Sequence, residues 1–179
     1  MLCRVQATYE GKAQTMGTKQ GDISLLNDPV AQQLLHANSP AKLAYSWTDG
    51  TPRVVPIGIH WDGAQIVIGT PARAPKLAAL KQNPKVALTI DTNDFPYHVL
   101  MVRGSVAIEL MDRIPDEYAL MARRTLGPGA DGWLQNVAGM LPAMGGMARV
   151  AITPEWVGIL DFEQRFPSEI EHAMAAGAP

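Results

Sequence analysis

The sequence predicts a mainly β protein with helical insertions, built as a small antiparallel barrel. Apolar residues alternate with a period of two in several short segments between residues 41 and 110, which is the pattern of half-buried strands. Turn signals separate these segments, and Asp62-Gly63 is the strongest of them. Helical spacing interrupts the alternation, most extensively over residues 115–143. Short antiparallel strands with intervening helices are typical of small barrels.

The composition limits the possible function classes. The chain has 179 residues, of which 47% are hydrophobic, and this is enough for one domain with a real core. Its formal net charge of −2 provides no basic field for nucleic acid. No apolar run approaches the roughly 18 residues of a membrane span, and no secretory signal is visible. Cys3 is the only cysteine, so it forms no internal disulfide. We therefore expect a cytoplasmic protein that binds neither nucleic acid nor a membrane.

Two regions differ in character. Residues 1–22 are polar and show no periodicity, which predicts a flexible N-terminal tail. Residues 23–179 are predicted to form a single domain, in which residues 113–146 are a helical insertion.

The first elements of the predicted domain are one helix and three strands. Asp28 and Pro29 provide a typical helix start. The period then changes to two, which predicts strands over residues 41–48, 53–61 and 66–70. The tight turns between these strands favour antiparallel neighbours.

The next elements are a short helix and two further strands. The helix is expected to begin at Pro75, because a proline at the fifth helical position would clash with the preceding turn. It ends at Asn83-Pro84. Strands over residues 86–90 and 97–110 follow.

The C-terminal half begins with helices. Pro115 starts one helix, and the Gly127–Gly129 segment interrupts it. A second and weaker helical piece is predicted over residues 133–141. The chain then returns to a sixth strand over residues 147–162, with a bend at Thr153-Pro154.

The clearest candidate for ligand binding follows the third predicted strand. Thr70, Arg73 and Lys76 stand beside the predicted start of a helix, where free N–H groups and the helix dipole favour a phosphate. Gly69 permits close approach of the backbone, and the Thr70 hydroxyl is a hydrogen-bond donor. The alternative interpretation is that the basic side chains are ordinary solvated charges.

A series of short motifs occurs in a fixed order between residues 41 and 110. They are Ala-Lys-Leu-Ala-Tyr, Asp-Gly-Thr-Pro-Arg-Val-Val-Pro-Ile, Trp-Asp-Gly, Ile-Gly-Thr-Pro-Ala-Arg-Ala-Pro-Lys, Asn-Pro-Lys-Val-Ala-Leu and Val-Arg-Gly-Ser-Val. In this order they resemble the pyridoxamine 5′-phosphate oxidase-like split barrels, a superfamily of flavin and deazaflavin oxidoreductases. The resemblance implies an antiparallel six-stranded split β-barrel of the Greek-key type.

The resemblance also implies a homodimer that holds its cofactor at the subunit interface. The cofactor would be FMN, with the deazaflavin coenzyme and haem as alternatives. The implied cofactor-binding residues are Arg53, Val54, Val55 and Pro56 along the flavin ring, Ile68, Gly69 and Thr70 near the ribityl chain, and Arg73 and Lys76 near the phosphate.

Two departures from the vitamin B6 oxidases argue against true pyridoxamine phosphate oxidase activity. Ala74-Pro75 replaces their Ser-Arg pair before the phosphate lysine, and residues 161–167 lack their Trp-x-x-Gly-Arg-type substrate motif. The expected function is therefore hydride transfer between the flavin and a small organic substrate. The alternative is a non-catalytic flavin- or haem-binding protein.

The remaining candidate residues have plain structural interpretations. His60 and His98 have no carboxylate or cysteine at metal-ligand spacing, so neither a metal site nor a catalytic residue is assigned. Met140, Met144 and Met147 are typical of core or dimer packing. The sharper hypothesis is that they belong to a lid over the substrate, in which Tyr118 and the Arg123-Arg124 pair would reach the pocket.

Overall fold

The computed structural model describes residues 19–162. Most of the predicted tail, and the residues after 162 that enter the substrate-motif comparison, lie outside these described residues, so the division into tail and domain stays a prediction. The strands are β1 (Ala41–Ser46), β2 (Pro52–Ile57), β3 (His60–Trp61), β4 (Ile66–Pro71), β5 (Lys85–Asp91), β6 (His98–Met111) and β7 (Met147–Asp161). The helices are α1 (Pro29–Leu35), α2 (Lys76–Gln82), α3 (Asp116–Leu126) and α4 (Ala130–Met144), with short 3-10 turns at Ile23–Asn27 and Gly127–Gly129.

The strands form one sheet in the order β2-β1-β5-β6-β7-β4-β3, and every neighbouring pair is antiparallel. This architecture confirms the mainly β split barrel with helical insertions. The sheet has seven strands, however, and the prediction of six was wrong.

The extra strand arises from a break in the segment predicted as one strand over residues 53–61. Its first part, β2, pairs with β1, whereas its second part, β3, pairs with β4. Only Gly58 and Ile59 separate the two parts, yet β2 and β3 lie at opposite ends of the strand order. The short connection therefore brings both edges of the sheet together and gives the barrel its split.

The long antiparallel pair of β6 and β7 contains the predicted bend. Arg103 is paired with Trp156 and Gly104 with Pro154, so Glu155 is an extra residue in β7. A proline is tolerated at such a bulge because no ladder N–H is required there. A Cβ on Gly104 would lie only 2.1 Å from the carbonyl oxygen of Thr153, so the bulge requires a glycine at this position.

The interior of the barrel is apolar, because alternate residues of each strand point inward. Helix α1 contributes Leu35 to this core and α2 contributes Leu80, and both side chains are almost completely buried. The other large side chains that are essentially inaccessible include Leu43, Ile66, Leu88, Leu100, Ile152 and Ile159. None of the helices within residues 19–162 combines the length and apolar character needed to cross a membrane.

Helices α3 and α4 lie between β6 and β7. The α4 helix extends further than the predicted piece, and Pro142 does not end it. Pro142 lies in the last turn, close to Gly145, which is the C-cap residue and has the left-handed conformation. A proline so close to the end forfeits one hydrogen bond without breaking the helix. The Gly127–Gly129 turn separates α3 from α4, as the sequence predicted.

Replacing Gly104 with alanine is expected to destabilise the protein by about 1–3 kcal/mol, since the new methyl group overlaps a backbone carbonyl. Gly139→Ala is the matched control, because Gly139 lies within α4 and no atom lies within 4 Å of a Cβ placed there. It should stabilise the fold by roughly 0.5–1 kcal/mol. Urea unfolding measures both. Equal stability of the two variants would contradict the account of the bulge.

Candidate cofactor-binding site

A cavity of about 670 Å³ lies between the α3–α4 pair and the sheet. This volume is typical of small-molecule and cofactor sites. The chain segments that form its floor are residues 57–59 at the break between β2 and β3, residues 69–71 at the end of β4, and Lys76 at the start of α2. The roof consists of side chains from α3 and α4. The cavity thus depends on both edges of the sheet and on the helical pair.

Two glycines allow α3 to lie close to the floor. A Cβ on Gly58 would be 2.7 Å from Sδ of Met121, and a Cβ on Gly69 would be 2.6 Å from Cδ2 of Tyr118. At Gly69 the Cβ of Tyr118 is also only 2.8 Å away, so a side chain there would push α3 away, whereas at Gly58 the end of the flexible Met121 side chain would have to move. The Tyr118 hydroxyl accepts a hydrogen bond of 3.0 Å from Nε1 of Trp133, which joins α3 to α4 over the cavity.

An ion pair fixes the N-terminal turn of α3 to the sheet. Arg149 on β7 is paired with Gly69 across the ladder, and its Nε and Nη2 both lie 2.8 Å from Oε1 of Glu117. Asp62 approaches the same guanidinium at 3.8 Å. Burial opposes ionisation of Glu117, but its hydrogen bond and charge interaction with Arg149 outweigh burial, so the pKa of Glu117 is lowered.

Thr70 and Lys76 present unpaired polar groups to the cavity. Thr70 is 3% exposed, and Lys76 is half-buried. Neither the Thr70 hydroxyl nor the Lys76 ammonium forms a hydrogen bond or ion pair within residues 19–162. Burial lowers the pKa of Lys76, since the charged ammonium loses solvation without gaining a partner. A bound phosphate would supply the missing partner for both groups.

The α2 helix contributes less to this site than the sequence suggested. It has seven residues, and its N-cap residue, Pro75, makes no side-chain capping bond. So short a helix carries a small dipole, so the attraction for an anion must come mainly from the side chains of Thr70 and Lys76.

The structure brings three of the sequence-predicted residues together, namely Gly69, Thr70 and Lys76. Ile68 is 1% exposed and belongs to the barrel core. Arg73 points to the end of α4, where its Nη1 donates to the Ala143 carbonyl at 3.1 Å.

The other sequence-predicted residues form a separate group on β2, at one end of the strand order. They are Arg53, Val54, Val55 and Pro56, and none of them lines this cavity. The guanidinium of Arg53 instead lies over the ring of Trp47, at 5.4 Å from its centroid. If these four residues contact a cofactor, that cofactor must lie against a surface other than the wall of this cavity.

Several residues of the helical pair reach the cavity. Met140, Met144 and Arg124 line it, as does Met147 at the start of β7, whereas Arg123 is turned to solvent and lies 3.5 Å from Asp131. The loop after α1 contributes a wall that sequence reasoning missed. Those residues are Asn38, Ser39 and Pro40, which lie between α1 and β1.

The two histidines considered from the sequence, His60 and His98, do not line the cavity. Nε2 of His98 is 3.5 Å from Oδ1 of Asp161. Burial lowers the pKa of His60, and the nearby positive charge of Arg124 lowers it further. Among residues 19–162, no group of three or more histidine, cysteine or acidic side chains is arranged to hold a metal ion.

The fold is a split barrel with a cavity of cofactor size, and comparison with known proteins gives its family. The family pattern of pyridoxamine 5′-phosphate oxidase matches residues 28–159. The chain belongs to this family. Its members and structural relatives include flavin and deazaflavin oxidoreductases. No curated protein matches the chain.

Solved structures show the same fold. An F420 reductase is 26% identical to the chain, with a TM-score of 0.57, and the match covers 71% of this chain and 94% of the reductase. A conserved hypothetical protein from Mycobacterium tuberculosis is 19% identical, with a TM-score of 0.59 and coverage of 82% and 92%. A pyridoxinephosphate oxidase family protein from Clostridium acetobutylicum is 15% identical, with a TM-score of 0.54 and coverage of 78% and 90%.

Replacing Glu117 with glutamine is expected to lower the free energy of unfolding at pH 7, because Arg149 loses its charged partner. Since the pKa of Glu117 is lowered in the folded state, its carboxylate stabilises the fold above the ordinary value of 4.5. That contribution is lost as the pH falls through the folded-state pKa. Denaturant unfolding should therefore show a smaller difference from wild type at pH 3 than at pH 7.

The matched control is Asp116→Asn, one residue earlier in α3, where the carboxyl side chain is 81% exposed. This change should have a smaller effect, as is usual for exposed ion pairs. Equal losses of unfolding free energy in the two variants at pH 7 would contradict the role assigned to Glu117. The role would also be contradicted if the Glu117→Gln variant were as much less stable than wild type at pH 3 as at pH 7.

Proposed function

We propose that this protein is an oxidoreductase that binds a flavin-type cofactor, FMN or the deazaflavin coenzyme, and exchanges hydride between it and a small organic substrate. The observation that carries this proposal is the pair of unpaired groups in the cavity, the Thr70 hydroxyl and the half-buried Lys76 ammonium. A partly buried cation without a partner loses some solvation, and a phosphate would compensate that loss through charge-assisted hydrogen bonds of about 1.5–3 kcal/mol each.

The remainder of the cavity suits a flat ring system. Ile57 and Ile59 on the floor and Met121 on the roof are apolar, and the volume of about 670 Å³ is sufficient for a ring with its side chain. When bound, the cofactor supplies the hydride chemistry. The protein would hold the phosphate at Thr70 and Lys76, and the walls would exclude water from the ring.

FMN and the deazaflavin coenzyme are both supported. Family membership supports FMN, and the 26% identity to an F420 reductase supports the deazaflavin coenzyme. Haem is less well supported, because no histidine lines the cavity within residues 19–162. The replacement of the oxidase Ser-Arg pair by Ala74-Pro75 argues against pyridoxamine phosphate oxidation itself.

A non-catalytic flavin-binding protein is the second candidate function. One observation favours it: the cavity wall within residues 19–162 contains no carboxylate, imidazole or thiol for proton transfer. Anaerobic reduction of the bound flavin by a nicotinamide donor, followed by reoxidation with an organic acceptor, distinguishes a catalyst from a carrier.

We further propose that two copies associate through the outer face of the sheet, in keeping with the homodimer implied by the family. Val54 is 65% exposed, and the register places it beside Ala44, which in turn lies beside Ala87. These residues form an uncharged strip across three strands. An exposed apolar strip of this kind is typical of an interaction surface. Association there would cover Val54 and Pro56, which share that face of β2.

Lys76→Gln is expected to weaken FMN binding at least about tenfold, which corresponds to a loss of about 1.4 kcal/mol. Lys81→Gln is the matched control, because Lys81 is an exposed lysine at the other end of the same helix. It should leave the affinity within about twofold. Flavin fluorescence titration measures both variants. Unchanged binding by Lys76→Gln would remove Lys76 from the site and withdraw the observation on which the proposal depends.

Val54→Glu is expected to shift the protein from dimer to monomer in sedimentation velocity, because it places a charge in the apolar strip. Val54→Thr retains the shape and should remain dimeric. If the cofactor lies at the interface, dissociation should also release it. If the Val54→Glu variant remained a dimer, the proposed surface would be contradicted. If the variant became a monomer and still retained the cofactor, the cofactor would not lie at the interface.

A further inference from the structure

Two cations of the cavity differ from the other basic residues around it. Lys76 and Arg124 are the charged residues that line the cavity within the described part of the chain, and no acid accompanies them. By contrast, the other arginines near or on α3 have carboxylate partners. Arg113 pairs with Asp116, Arg123 with Asp131 and Arg149 with Glu117.

Arg124 is held in place but is not neutralised. Its Nη2 donates a hydrogen bond of 2.7 Å to the carbonyl oxygen of Ile59, which fixes the guanidinium against the break between β2 and β3. Its Nε is buried and has no hydrogen-bond partner within residues 19–162. An arginine can donate two parallel hydrogen bonds to one carboxylate. Because Nε is out of reach of solvent and Nη2 already bonds Ile59, Nη1 and the second hydrogen of Nη2 are the donors left for an occupant of the cavity.

The cavity that Arg124 lines is mostly apolar. Met121 and Leu126 of α3 and Val137 and Met140 of α4 line the same cavity. Burial lowers the pKa of Arg124, and no carboxylate lines the cavity within residues 19–162 to compensate its charge. An occupant that suits these walls has an apolar body, and an occupant that suits Arg124 carries an anionic group.

We propose that Arg124 anchors the carboxylate of an aromatic or aliphatic organic acid, whose apolar body packs between the methionines of α3 and α4. The acid would be the substrate class of the proposed oxidoreductase, and in that respect the inference rests on the proposed function. Binding of the acid itself does not require the cofactor. Lys76 retains the cofactor phosphate, so the two cations hold different anions.

The test compares two probes of the same shape, 2-naphthoate and the uncharged 2-naphthamide. Isothermal titration calorimetry on the full chain measures both, with and without saturating FMN. The wild-type protein should bind 2-naphthoate at least about tenfold more tightly than 2-naphthamide, as expected for a charge-assisted contact. In Arg124→Gln that preference should fall to within about twofold.

Two variants serve as controls. Arg123→Gln removes the same charge one residue earlier, at an exposed position, and should keep the wild-type preference. Arg124→Lys retains the charge and should keep part of it, which tests the idea even if Arg124→Gln does not fold. The inference is overturned if the wild-type protein binds both probes equally, or if a folded Arg124→Gln variant keeps the wild-type preference.

The outcomes also separate this inference from the proposed function. Naphthoate preference that depends on Arg124, without any FMN binding, would support the acid site and reject the flavin site. FMN binding that depends on Lys76, without any naphthoate preference, would support the cofactor site and reject the role of Arg124.

Discussion

The cavity depends on the close approach of α3 to the sheet. Gly58 lies in the connection between β2 and β3 and Gly69 lies in β4, and each provides the space for one side chain of α3. The ion pair between Arg149 and Glu117 then fixes the start of the helix at that distance. Because these contacts occupy the N-terminal half of α3, its C-terminal half and α4 roof a space that neither sheet edge fills. The site is thus a consequence of how the insertion docks.

Much of the fold could be predicted from the sequence, because it depends on local signals. Alternating apolar residues identified the strands, and Pro29 and Pro75 marked helix starts. The break at Gly58 was missed, since the apolar alternation continues through it from Val55 to Trp61. Whether one extended segment pairs with a single neighbour or with two depends on contacts distant in sequence, and periodicity carries no information about them.

The same limit applies to the candidate site. Gly69, Thr70 and Lys76 are close together in sequence, so local reasoning could group them. Arg124 and Tyr118 belong to a helix far along the chain, and only its docking shows which of its side chains face the cavity. The structure also gives a second reason for Gly69, which accommodates Tyr118. The unequal charge balance, with cations but no acids in an apolar cavity, becomes visible only once the helices are placed.

The central claim is that Thr70 and Lys76 hold the phosphate of a flavin-type cofactor in the cavity beneath α3 and α4. The most direct measurement is a crystal structure of the full chain grown with saturating FMN, and a second grown with the deazaflavin coenzyme. The account predicts phosphate oxygens within hydrogen-bond distance of Nζ of Lys76 and the hydroxyl of Thr70, with the ring against Ile57 and Ile59. A cofactor bound elsewhere, or an empty cavity with both ligands, would contradict it.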